Sequence, residues 1–154
     1  YELAKQGFDI VIVARNEQVA NEIGNDIQQK FKVKTKTIIL ELDGPYTVEK
    51  VTEMENKFKD LQNVSILINN AGLGTFGMCG SSDPWNYQSF LSCMYVDTFP
   101  IPLLTKFLLP KILKREKSGK KGAVITVSSL CARGTLIKGT SVYSGVKAFD
   151  LRFS

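Results

Sequence analysis

The residues best suited to chemistry lie near the end of the chain. Tyr143 and Lys147 are four apart in Tyr143-Ser144-Gly145-Val146-Lys147, so on a helix they share one face. A phenol, with a pKa of about 10, is a weak acid or base at neutral pH. An ammonium beside it favours the phenolate, and the pair becomes a tuned proton donor or acceptor. Upstream, Val124-Ile125-Thr126-Val127-Ser128-Ser129 reads as a strand ending in two hydroxyls. A Ser hydroxyl there can bond a carbonyl oxygen and stabilise charge developing on it; it can equally satisfy nearby backbone groups. A third stretch, Ile66-Leu67-Ile68-Asn69-Asn70-Ala71-Gly72, passes abruptly from apolar strand to amides and small residues. Small residues let a flat ligand approach the backbone closely, although they also make ordinary turns.

These side chains need a scaffold, and the apolar pattern supplies one. Phe8–Ala14, Thr37–Leu42, Val64–Asn69 and Ala123–Ser128 read as four strands, Ile/Val-rich enough to be covered on both faces of a parallel sheet. Helical spacing fills the gaps. Val19, Ile23, Ile27 and Phe31 mark one helix over Glu17–Phe31, and Val51, Met54, Phe58 and Leu61 mark another over Thr47–Leu61. A third is expected from Trp85 to Leu109, kinked or broken at Pro100 and Pro102. A fourth starts near Ser141 and carries Tyr143 and Lys147. Strand and helix in alternation mean an α/β fold with right-handed crossovers. Tyr1–Gln6 reads as the last turns of a helix stopped by Gly7. Lys147–Ser154 is helical without a cap, so the chain is expected to begin and end inside secondary structure.

Composition narrows the chemistry. The 154 residues carry 20 Lys and Arg against 15 Asp and Glu, a net charge of +5, with 44% hydrophobic and 23% charged residues. That is one globular domain, not a disordered, collagen-like or disulfide-rich chain. There is no His, which removes Ser-His-Asp and Cys-His catalysis and any His-ligated metal. Cys79, Cys93 and Cys131 are scattered and form no CxxC pair, so no metal is expected. No apolar run is long enough to span a bilayer. Lys111, Lys114, Arg115, Lys117, Lys120 and Lys121 face only Glu116 in their window. They read as a solvated helix end whose cations suit the dipole, so no nucleic-acid partner is expected.

Asn-Asn-Ala-Gly after one strand, Ser-Ser after the next, then Tyr-x-x-x-Lys, in that order, resembles the short-chain dehydrogenase/reductase family over essentially the whole chain. The resemblance implies a doubly wound parallel sheet of Rossmann type, incomplete at both ends: residues 1–154 would be a partial dinucleotide-binding domain. It implies that Tyr143 is the catalytic acid/base, that Lys147 tunes Tyr143 and holds the nicotinamide ribose, and that Ser129, preferred to Ser128, polarises the substrate carbonyl. Asn69, Asn70, Ala71 and Gly72 match the cofactor-side loop. Asp97 stands where the family carries an Asn supporting a water-linked proton relay, and its charge would alter that relay's electrostatics.

The cofactor preference follows from the same correspondence. Val13-Ala14-Arg15-Asn16 ends the strand that lies beside the adenosine ribose, with no acid to bind a free 2′-hydroxyl. Arg15 can pair with a 2′-phosphate, so NADP(H) is expected. Asp43, with Glu41 as a competing register, matches the Asp near adenine.

The implied function is hydride transfer between NADP(H) and a ketone or secondary alcohol, a small-molecule substrate. The alternative is a catalytically silent relative serving as a structural subunit or binding module. Phe107-Leu108-Leu109-Pro110, the basic run after it and Leu3-Ala4-Lys5-Gln6-Gly7-Phe8 resemble the 17-beta-hydroxysteroid dehydrogenase and very-long-chain 3-oxoacyl-CoA reductase branch, which implies lipid metabolism and a steroid or 3-oxoacyl substrate. It also implies an endoplasmic reticulum location, with a cytoplasmic one as the alternative, and a homo-oligomer. Membrane association would reside in segments outside these residues. The family's first strand and Gly-rich phosphate loop are not among them. Because that strand lies mid-sheet, the four strands here are expected to form two half-sheets with bare inner edges, part of a longer polypeptide or completed by another segment.

Overall fold

A computed structural model describes residues 1–74, 87–134 and 138–154; Cys79 and Trp85 lie outside the described residues. The chain divides into two compact units, Tyr1–Leu42 and Asp43–Ser154.

In the first unit, helix α1 (Glu2–Lys5) ends at Gly7, whose φ of +85° is the left-handed conformation a helix stop requires. Strand β1 (Ile10–Ala14) pairs parallel with β2 (Thr35–Ile39), Ile10 opposite Thr35 and Ala14 opposite Ile39. Helix α2 (Glu17–Phe31) makes the crossover, capped by the Asn16 side chain accepting from Val19 N at 3.0 Å. α2 lies close on β2: a Cβ at Gly24 would sit 3.2 Å from Thr35 Oγ1. Ala20, Ile27 and Ile38 form the core.

β2 runs earlier than its apolar pattern suggests, Thr35–Ile39 rather than Thr37–Leu42. Its partner dictates this. Ile10 N bonds Lys34 O at 2.9 Å and Asp9 Oδ1 accepts from Lys34 N at 2.8 Å, starting the ladder. β1 then turns into α2 after Ala14, and the described pairing ends at Ala14 opposite Ile39.

In the second unit, α3 (Val48–Phe58) is capped by Thr47, whose hydroxyl accepts from Lys50 N at 3.3 Å. Strands β3 (Ile66–Asn69) and β4 (Ala123–Thr126) pair parallel, Ile66 opposite Ala123 and Asn69 opposite Thr126. α4 (Tyr87–Thr98) and α5 (Pro100–Glu116) connect them. A 3₁₀ turn (Leu130–Arg133) and α6 (Ser141–Phe153) follow β4. The core joins Leu104, Phe107, Leu108 and Ile112 of α5 to Met54 and Phe58 of α3, with the Phe58 and Phe107 rings 6.4 Å apart.

The expected long helix does break at Pro100, which opens α5 where its missing N–H has no helical partner to lose. The helix then continues through Pro110 to Glu116 instead of ending at Leu109. An interior Pro costs about 3 kcal/mol, but Leu108 and Ile112 are nearly fully buried on either side of it. Burying two such side chains contributes a comparable amount.

The strands form two separate two-stranded sheets. The described residues do not cover both faces of them: Val11, Val13, Ile68, Val124, Ile125 and Val127 are 37–46% exposed. The continuous Ile/Val pattern thus does not translate into two buried faces here. Each strand pair has a helix packed on it, α2 in the first unit and α5 in the second. In β1 the exposed residues alternate with half-buried ones, whereas in β4 the adjacent Val124 and Ile125, on opposite faces, are both exposed.

Candidate active site

β3 and β4 end side by side, with Val127 N donating to Asn69 O at 2.9 Å. Beyond β3 the chain emerges as the exposed residues Asn70, Ala71 and Gly72. Beyond β4 come two half-buried serines with different tasks. Ser128 Oγ donates to Lys147 O at 2.6 Å, fastening α6 to the end of β4. Ser129 Oγ accepts from Cys131 N at 3.3 Å and caps the 3₁₀ turn, which packs on α6. That bond uses an oxygen lone pair and leaves the Ser129 hydroxyl proton to be donated. Tyr143 is half-buried in the first turn of α6. Lys147 follows one turn later, its Nζ 5.8 Å from the Tyr143 ring centroid.

The Lys147 ammonium is buried and shared. It lies 2.7 Å from Asp97 Oδ1 on α4 and 2.8 Å from Asp150 Oδ2, one turn further along α6. The second Asp97 oxygen accepts from Leu73 N at 2.8 Å, so the loop after β3, α4 and α6 converge on this group. The approach is tight: a Cβ at Gly72 would fall 2.7 Å from Asp97 Oδ1 and 3.1 Å from Lys147 Nζ. Burial opposes the Lys147 charge, but Asp150 and Asp97 outweigh it and hold the ammonium above its ordinary range. Burial pushes the Asp150 carboxyl up, against the attraction of Lys147. The Cys93 thiol, fully buried one turn before Asp97, is pushed up to about 11 by burial and then by Asp97.

The remaining expected residues are placed as follows. Asn69 is buried, and its Nδ2 donates to Thr105 Oγ1 of α5 at 3.4 Å, tying β3 to that helix. Asp43 accepts from Gly44 N and from Ser92 Oγ of α4, both at 2.6 Å, while its carbonyl accepts from Lys50 Nζ at 2.6 Å. Arg15 is exposed at the carboxyl end of β1, next to the Asn16 cap, in the first unit. Ser129, Tyr143, Lys147, Asp97 and Gly72 therefore gather in the second unit, and Arg15 belongs to the other. In the basic run, Lys111 Nζ donates to Lys59 O at 3.0 Å and Arg115 Nε to Lys121 O at 3.2 Å, which pins the end of α5. Asp150 is the residue that sequence reasoning passed over. Its three-residue offset from Lys147 was a visible signal, but such pairs usually decorate a solvated helix face.

The order of these parts along two adjacent strand ends is decided by comparison with known proteins. Residues 1–154 match the family model described as short chain dehydrogenase. The chain belongs to the short-chain dehydrogenase family. Its fold is Rossmann-like, as in a short-chain dehydrogenase from Sphingobium yanoikuyae in complex with NADPH, with a TM-score of 0.80 at 23% identity. That likeness covers 99% of this chain and 56% of the other. Among curated relatives, the very-long-chain 3-oxoacyl-CoA reductase of Bos taurus is 28% identical over 99% of this chain and 46% of its own length. The very-long-chain 3-oxoacyl-CoA reductase-B of Danio rerio is 29% identical over 99% and 47%. This short-chain dehydrogenase chain thus spans about half the length of the curated relatives it matches. Among the described residues no helix is long and apolar enough to cross a membrane.

Proposed function

We propose that the full-length protein carrying this sequence is an NADP(H)-dependent oxidoreductase interconverting a ketone and a secondary alcohol, with 3-oxoacyl chains as the favoured substrate class. One observation carries this reading. The Ser128–Lys147 bond fastens the helix bearing Tyr143 and Lys147 to the strand end bearing Ser129. The residues present fit a nicotinamide cofactor. Asn70, Ala71 and Gly72 are exposed at the carboxyl end of β3, where open α/β sheets seat ligands. An ammonium has three N–H donors, and Lys147 keeps one beyond those facing the two carboxylates. Bound there, the cofactor supplies or takes up the hydride.

In the reducing direction Tyr143 gives its hydroxyl proton to the carbonyl oxygen, and in the oxidising direction it takes that proton back. Ser129 donates a hydrogen bond to the same oxygen and stabilises charge building on it. Asp97 and Asp150 hold Lys147 where its charge faces the phenol. Arg15 supports the NADP(H) preference because a guanidinium matches phosphate geometry, and the Sphingobium neighbour is a complex with NADPH. The 3-oxoacyl substrate class is supported by the names of the Bos taurus and Danio rerio relatives. Resemblance to that branch also favours the endoplasmic reticulum as the location.

Tyr143→Phe in the full-length protein is the test. Turnover should fall by about 10²–10⁴-fold, the usual contribution of a proton-transferring side chain, with NADP(H) binding largely kept. Near-normal turnover would remove the mechanism. A second reading, a catalytically silent relative acting as a structural subunit, is favoured by the engagement of Lys147 with two carboxylates. It requires that the unsubstituted protein turn over no ketone or alcohol with either NADPH or NADP⁺.

A further inference from the structure

Three ionisable side chains meet in a space that excludes water. Lys147 is 6% exposed, and Asp97 and Asp150 not at all. One ammonium faces two carboxyl groups, so with every group charged the cluster holds one excess negative charge. Isolated buried charge is expensive, and such sites take up a proton instead.

The two carboxyls are not equivalent. Asp97 Oδ2 accepts from Leu73 N, and its Oδ1, which accepts no hydrogen bond, still lies 2.7 Å from the Lys147 ammonium. Asp150 meets Lys147 through Oδ2, while its Oδ1 is buried with no partner. A carboxyl with one oxygen engaged and the other bare is the one suited to hold a proton there. Among the described residues, the elements packed on the cluster place no second cation on either carboxyl. α4 contributes Cys93, a thiol pushed up to about 11, and Asp97. α6 contributes Tyr143, Lys147 and Asp150. The 3₁₀ turn packed on α6 carries half-buried Cys131 and exposed Arg133. Burial and the Asp97 charge both push the Asp150 carboxyl up, in agreement with the geometry.

We propose that Asp150 is a positioning residue that shares Lys147 with Asp97 and holds a proton on its second oxygen, so that its protonation sets the net charge beside Tyr143. With Asp150 neutral, Lys147 and Asp97 balance. With Asp150 ionised, the cluster is negative and disfavours the phenolate that alcohol oxidation needs. This catalytic consequence rests on the function proposed above; the proton on Asp150 does not.

The experiment is a pH titration of the cofactor-free full-length protein with ¹³Cγ-labelled aspartate, followed by NMR. The Asp150 resonance is assigned by its loss in Asp150→Asn or, should that variant not fold, in Asp150→Glu. Its midpoint should lie above the ordinary carboxylate range, and Asp97→Asn, which removes the competing charge, should lower it by less than burial raises it. A midpoint in the ordinary range, or one unmoved by Asp97→Asn, overturns the inference whatever the activity. In the active enzyme Asp150→Asn fixes the neutral state, so its alcohol-oxidation pH profile should differ from that of the unsubstituted protein only above the Asp150 midpoint read by NMR. A profile that differs below that midpoint, or one that superimposes above it, overturns the link to Tyr143. Failure of the Tyr143→Phe test would leave the titration result standing, so the two claims fail separately.

Discussion

Of the three N–H bonds on Lys147, two face carboxylates, and the ionic partners of the phenol's neighbour therefore matter as much as the neighbour itself. Asp97 contacts both Lys147 and the backbone after β3, which makes it a support for the lysine. In the first unit, Arg15 offers an exposed guanidinium at the end of β1. Arg15→Ala should weaken NADPH binding by about 10–100-fold, the worth of a charge-assisted phosphate contact, and leave NADH binding nearly unchanged. Fluorescence titration with both cofactors measures this; equal losses for the two would contradict a phosphate contact. At this scale the shared helix of Tyr143 and Lys147 and the strand-end position of Ser129 were legible from their spacing. Asp150 was not, because only the packing of α4 against α6 turns an ordinary helical pair into a buried one.

The elements hold these residues through close backbone approaches that Gly permits. At Gly122, just before β4, a Cβ would press into Ile112 Cγ2 and sit 3.2 Å from Ser65 O. Ile112 is 2% exposed in the α5 core and has no room to yield. Gly122→Ala should therefore destabilise the full-length protein by about 1–3 kcal/mol, as overpacking does. Urea unfolding would show this as a lower midpoint, and an unchanged midpoint would contradict the packing described. Helix periodicity located the limits of α2 to the residue but not its inner face: Val19 and Ile23 of the apolar stripe are exposed, and Ala20, Gly24 and Ile27 are buried. Strand limits were less legible because they depend on a partner: β2 ends where β1 leaves it, not where its own apolar run ends. The passage of α5 through Pro110 was hidden for a similar reason, since burial of Leu108 and Ile112 overrides a local breaker.

At the scale of the whole molecule, the proposed site residues are distributed over two units. Arg15 lies in one, and Ser129, Tyr143 and Lys147 lie in the other. Family and fold class were legible in the order of three short motifs along the chain. The exposed apolar strand faces were not, because an Ile/Val run looks the same whether one face or two is covered. The account stands on one arrangement: a phenol and a strand-end hydroxyl serving the same substrate oxygen beside a nicotinamide. A crystal structure of the full-length protein with NADP⁺ and a secondary alcohol tests it most directly. It should show Tyr143 Oη and Ser129 Oγ both within about 3.2 Å of the alcohol oxygen. An alcohol oxygen bound out of reach of both hydroxyls would contradict the account.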